Sequence, residues 1–162
     1  MTHTTPQRHT AIVTGAARGT GAAVARRPAQ DGLAVGVIDL DESDRVGTVE
    51  GGPRTGDTAR VDYGSTRAGL IGFTKSLALS LGWHGITADA IAPGFVVSDT
   101  TRASARRLGH DYEEFRRSAA QSLPAGPVGE PEDIAHTASF LASREAGFGS
   151  GRLVFVAGGP VD

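Results

Sequence analysis

Cysteine is absent from this 162-residue chain, and so is asparagine. Without cysteine there are no disulfide staples, no thiolate nucleophile and no sulfur-ligated metal, so redox chemistry would need a borrowed cofactor. Lysine is almost missing as well: of 16 basic residues only Lys75 is a lysine. A coding bias toward GC-rich codons favours arginine over lysine and removes asparagine without selection on function, so a single lysine-to-arginine exchange carries less weight here. No stretch approaches the roughly 18 apolar residues of a membrane span. The net charge of −2 offers no field for nucleic acid or anionic lipid. The five histidines, His3, His9, His84, His110 and His136, show no metal-ligand spacing. Residues 1–9 read as a polar lead-in with neither the apolar core nor the cleavage site of a signal peptide. These absences lead to the expectation of one soluble, cytoplasmic domain spanning 1–162, with no nucleic-acid or membrane partner.

What is present alternates. "TAIVTG" (Thr10 to Gly15) is a β-branched run ending in glycine, and "LAVGVIDLD" (Leu33 to Asp41) is an apolar run ending in acid; both read as buried strands. Between them lies an Ala- and Arg-rich helical stretch opened by glycines and closed by Gly32, which makes a βαβ unit. Pro28 falls inside it and predicts a kink or stop near Arg27. From Tyr63 to Leu81 the residues Leu70, Ile71, Phe73, Leu77 and Leu81 predict a broad apolar helix buried on several sides. "ITADAIAPG" (Ile86 to Gly94) reads as a strand and Arg102 to Ser122 as a charged, helical, mobile cover. "EPEDIAHTASFLAS" starts a helix with Pro131, and "GRLVFVAGG" (Gly151 to Gly159) supplies a last strand. The alternation predicts an α/β fold, a Rossmann-like parallel sheet with helices on both faces.

Thr14, Gly15, Gly19 and Gly21 give the spacing T-G-x-x-x-G-x-G between a strand and a helix. Glycines there let the backbone approach a pyrophosphate, and the helix amino-terminus supplies N–H groups to hold it. Asp39 ends the second strand, where an acid accepts from a ribose 2′-hydroxyl and repels a 2′-phosphate. That favours NAD(H); Arg18 in the loop could meet a phosphate, which keeps NADP(H) open. A plainer reading makes the glycines a tight turn and Asp39 a solvated strand end. Acids such as Glu113, Glu114, Glu132 and Asp133 lie near helix starts and are most simply dipole partners.

Taken in order, this loop, the Tyr63 segment, "AIAPGFVVSDT" and "GEPEDIA…FLAS…GRLVFVAGG" resemble the short-chain dehydrogenase/reductase family, nearest in look to 3-oxoacyl carrier-protein reductases. The resemblance implies a nicotinamide cofactor, a homo-oligomer, and a small carbonyl or alcohol substrate. It places Gly15, Gly19 and Gly21 at the pyrophosphate and Asp39 at the adenosine ribose. Pro93 and Gly94 would lie near the nicotinamide, with Ser98 where the family often has a threonine on the carboxamide. Tyr63 matches the family's proton-transferring tyrosine. A phenol with an ordinary pKa of about 10 needs a nearby cation to work as a base.

In the family that cation is a lysine, and here it is Arg67. Arginine keeps the charge, but its planar fork donates in other directions. The bridge 43–62 is short where the family has further strands and helices, and only "RVGTV" (Arg45 to Val49) resembles a strand. Counting back from Tyr63 to the family's serine reaches Glu50, and no asparagine is present to take the family's catalytic position. The lost central strand leaves three options: "RVGTV" replaces it, a partner chain supplies a strand in an intertwined dimer, or edges stay exposed. Three readings of function stand: an NAD(H)-dependent oxidoreductase, a scaffold repurposed for dehydration, isomerisation or cyclisation, and a non-catalytic subunit.

Overall fold

The computed structural model describes residues 9–38 and 61–159, and for 61–66 the helical backbone alone. The βαβ unit forms as its sequence pattern dictates. Strands β1 (Thr10–Thr14) and β2 (Ala34–Ile38) pair in parallel, with Thr10 opposite Ala34 and Thr14 opposite Ile38. Helix α1 (Gly19–Gln30) joins them and buries Ala22, Ala23, Ala25 and Pro28. Pro28 does not stop the helix at Arg27; the helix runs on to Gln30. The proline sits in the last turn, where losing one hydrogen bond breaks little of the ladder, and its ring is fully buried, which offsets the loss. The end is then closed by paired bonds: Gly32, at φ +94°, donates to the Ala29 carbonyl, and Leu33 donates to the Pro28 carbonyl at 3.0 Å.

The second half starts with helix α2 (Val61–Leu81), followed by a 3-10 turn at Gly82–His84 that Gly85 ends in the left-handed region. Strand β3 (Ala90–Pro93) pairs in parallel with strand β4 (Leu153–Val156), Ala90 opposite Leu153 and Pro93 opposite Val156. The charged stretch after β3 makes two helices, α3 (Asp99–Arg107) and α4 (Tyr112–Gln121), broken at Gly109 with φ +72°. Helix α5 (Pro131–Leu141) precedes β4. Hydrogen bonds from Val97 to the Gly129 carbonyl and from Gly129 to the Phe95 carbonyl tie the segment after β3 to the start of α5.

The strands are parallel and flanked by helices, as the pattern predicts. They do not form one sheet, however: among the described residues β1 pairs with β2, β3 pairs with β4, and no ladder joins the two pairs. The central strands that join these elements in the resembling family have no counterpart among the described residues, and "RVGTV" lies outside them. The consequence reaches α2. Expected to be buried on several sides, it exposes Phe73 at 61% and Leu79 at 78%, with Leu70 about half exposed, while Ile12 of β1 is 68% exposed. An apolar helix needs a covering layer, and the described strands do not supply one.

The best-packed contact is α1 against α5. Alanines line α1, and Ile134, Ala135 and Ser139 are buried on α5. Small side chains let the two helices lie close together. Among the described residues no helix is long and apolar enough to cross a membrane. Replacing Ala135, only 3% exposed, by leucine should overpack this contact and lower stability by about 1–3 kcal/mol. Urea unfolding followed by circular dichroism would measure it; an unchanged midpoint would show that the helices do not pack here.

Candidate functional site

The glycine loop joins β1 to α1. Gly15 and Gly19 adopt positive φ values of 68° and 56°. Gly21, in the first turn of α1, lies against the loop's own backbone: a Cβ there would stand 1.9 Å from the Gly15 carbonyl oxygen. No other residue fits without moving the loop. The Gly15 N–H donates to the Ile38 carbonyl at 2.8 Å, which anchors the loop to the end of β2. Asp39 follows Ile38 and lies outside the described residues.

The amino-terminus of α1 differs from those of α3, α4 and α5. On α3 the Ser98 hydroxyl accepts from the Thr101 N–H at 3.2 Å, and the Thr101 hydroxyl accepts from the Ser98 N–H at 3.0 Å. On α4 the Asp111 carboxylate accepts from the N–H groups of Glu113 and Glu114, both at 3.0 Å. On α5 the Asp133 carboxylate accepts from the Glu130 N–H at 2.8 Å. On α1 the cap position is Arg18, exposed and extended, which makes no capping bond, and the first turn has no acid. The first N–H groups of a helix have no intrahelical acceptor, and the helix dipole makes that end partly positive. A glycine turn that excludes side chains and an amino-terminus that its own sequence leaves uncapped together fit a phosphate group.

Pro93 and Gly94 stand at the carboxyl end of β3. A Cβ on Gly94 would lie 2.7 Å from the Cα of Ala157, so this glycine is required by the close approach of the chain after β4. Ser98, placed by resemblance at a carboxamide, is engaged in starting α3, a role signalled in the sequence by the threonine three residues later. Helices α3 and α4 form the cover at this end. The Arg102 guanidinium lies 4.3 Å from the centre of the Tyr112 ring, and the rings of Phe95 and Phe115 are 5.5 Å apart, which holds α4 against the residue following Gly94.

Tyr63 and Arg67 both fall on α2, one helical turn apart, with Arg67 exposed. The Tyr63 side chain lies outside the described residues. The structure therefore brings the glycines together with Arg18, sets Pro93 and Gly94 beside Ser98, and puts Tyr63 and Arg67 on a common helix.

One feature escaped sequence reading. Where α1 closes, a cleft of about 560 Å³ lies between α1 and the end of α5, lined by residues that include His9, Arg27, Asp31, Ser139, Arg144 and Glu145. The Ser139 hydroxyl donates to the Asp31 carboxylate, and Arg27 Nε donates to both of its oxygens at 3.2 and 3.0 Å. The Ser139 hydrogen bond, with Arg27 beside it, holds the Asp31 carboxyl below the usual aspartate range. Arg144 Nε donates to His9 Nε2 at 2.8 Å. The spacing of Arg27 and Asp31 was visible in the sequence; the partner 108 residues away was not.

Residues 48–160 match the sequence profile of the family described as enoyl-(acyl carrier protein) reductase. The chain belongs to the short-chain dehydrogenase/reductase family. It is 41% identical over 104 residues to the short-chain reductase protein NovJ of Streptomyces niveus, a match covering 64% of this chain and 40% of that protein. It is 38% identical over 114 residues to the 3-oxoacyl-[acyl-carrier-protein] reductase FabG of Vibrio cholerae serotype O1, covering 70% of this chain and 43% of the relative. The matched region thus spans about two fifths of these curated relatives. In fold, the chain is similar to a short chain dehydrogenase family protein from Francisella tularensis subsp. tularensis SCHU S4, at a TM-score of 0.72 and 16% identity, covering 93% of this chain and 98% of that one. The profile match leaves out the βαβ unit, whose family likeness rests on the fold and on the glycine spacing.

Truncating Ser98 to alanine removes the α3 cap and should cost about 1 kcal/mol of stability. A thermal melt that does not shift would show that the cap contributes nothing.

Proposed function

We propose that this chain is an oxidoreductase that binds a nicotinamide dinucleotide through its glycine loop and acts on a small carbonyl or alcohol. One observation carries the reading: α1 presents an uncapped amino-terminus behind a turn that only Gly21 can close. Gly15, Gly19 and Gly21 hold the pyrophosphate, with Arg18 at its edge. Asp39 takes the adenosine ribose and favours NAD(H) over NADP(H). Pro93, Gly94 and Ser98 border the nicotinamide end.

When bound, the cofactor supplies or accepts the hydride. The proton is the protein's part: Tyr63 gives it to the carbonyl oxygen in reduction or removes it from the alcohol in oxidation. Arg67 favours the phenolate that this requires by placing a fixed positive charge one turn along α2. The covering helices α3 and α4 border the substrate, and the lack of cysteine suits a cytoplasmic setting.

The decisive experiment is calorimetric titration of the purified protein with NADH and, separately, with NADPH, beside the Tyr63→Phe variant. The expected result is micromolar NADH binding, weaker NADPH binding, and a variant that still binds NADH but has lost turnover with carbonyl substrates. Absence of binding to either cofactor overturns the reading, and undiminished turnover in the variant removes Tyr63 from the chemistry. A second reading draws on the exchange of the family's lysine for Arg67 and the lack of any asparagine. In it, the fold performs a dehydration, isomerisation or cyclisation with Tyr63 and Glu50 as proton-transfer groups, or serves as a non-catalytic subunit; turnover indifferent to added cofactor favours the former, tight association with another protein the latter.

The exposed apolar face of α2 and the two separate strand pairs support a homo-oligomer, which we propose is an intertwined dimer whose partner completes the open strand edges. Light scattering at micromolar concentration should give twice the monomer mass of 16.6 kDa; a monomer sinks the proposal.

A further inference from the structure

We infer that Asp31 and Ser139 are positioning residues, a polar clasp that fixes the phosphate-binding half of the chain against the half bearing the nicotinamide end. The inference rests on reading the glycine loop as a dinucleotide site. Among the described residues no strand ladder connects β1–β2 to β3–β4, so no hydrogen bonding between these strands fixes where the glycine loop stands relative to Gly94. The βαβ unit meets the rest of the described chain chiefly where α1 lies along α5.

That face is smooth. Helix α1 buries Ala22, Ala23 and Ala25 and α5 buries Ile134 and Ala135, and apolar burial of this kind is non-directional. Register along the helices needs a directional contact, and the Ser139 hydroxyl supplies one by donating to the Asp31 carboxylate. Ser139 is buried on α5, where a hydroxyl needs a partner. Asp31 caps the carboxyl end of α1, the partly negative end of the helix, where a carboxylate is locally unfavourable. Arg27 and Ser139 offset that cost, so what the acid gains at this position is its reach to α5. The hydrogen bond from Arg144 to His9 adds a second link at the same end. Clasp and glycine loop stand at opposite ends of one helix, so a slide at Asp31 carries the loop with it.

The test compares two ligands on the full chain. ADP engages the phosphate loop alone, whereas NADH must span both halves. In calorimetric titrations, Asp31→Asn and Ser139→Ala should bind ADP within about twofold of the unaltered chain and NADH about tenfold or more weakly. Ser139→Thr, which keeps the hydroxyl, should restore NADH affinity. Unchanged NADH affinity in both variants overturns the clasp. Equal weakening toward ADP and NADH also overturns it, because that marks general loss of the loop and not loss of register. If the unaltered chain binds neither ligand, the dinucleotide reading falls and the clasp's role falls with it; if it binds NADH and the variants match it, only the clasp is lost.

Discussion

The contact between α1 and α5 is the constraint on which the described structure depends. It is the chief packing between the βαβ unit and the rest of the described chain, and it is built largely from alanines. Alanine gains little from burial per residue, so the contact works by proximity: two backbones close together, Ile134 as the one large buried side chain, and a buried proline ring closing the end of α1. In a fold with an unbroken central sheet such a contact would be one layer among several. Here the described strands stand in two pairs, and this contact is the main packing between the βαβ unit and the rest of the described residues.

The helix ends divide the labour. Three helices satisfy their first N–H groups with side chains of their own, Ser98, Asp111 and Asp133, and gain local stability from it. Helix α1 satisfies none of its own in this way, and its first turn is glycine, threonine, glycine. A protein that leaves one amino-terminus without a side-chain cap after a parallel strand gives up local stability at the kind of place where an open α/β sheet binds ligands. The adjoining turn, too tight for a Cβ at Gly21, has the same sense: backbone is kept bare where another group must come near.

Family membership and function rest on different parts of the chain. The profile match covers the second half, which contains Tyr63, Arg67, the cover helices and the last strand. The glycine loop lies in the first half, which is matched in fold. The matched region spans about two fifths of its curated relatives, and several apolar side chains of α2 and β1 are exposed among the described residues. A fold admits many chemistries, so the proposed activity rests on the uncapped end of α1 and on Tyr63, with Arg67 one turn along α2, and not on the fold.

The sequence by itself determined the elements and the loop. A β-branched run ending in glycine and an apolar run ending in acid placed β1 and β2 to within a few residues, and the spacing of Gly15, Gly19 and Gly21 marked the glycine turn, because these signals are local. Only the tertiary structure decided the rest. Pro28 stays inside a helix because burial of its ring, a long-range effect, outweighs a local penalty. Helix α2 looked buried because periodicity reports which residues are apolar and not whether a covering layer exists. Ser98 starts a helix, and Asp31 meets Ser139 across 108 residues, a pairing that arises only when two helices far apart in sequence are laid side by side.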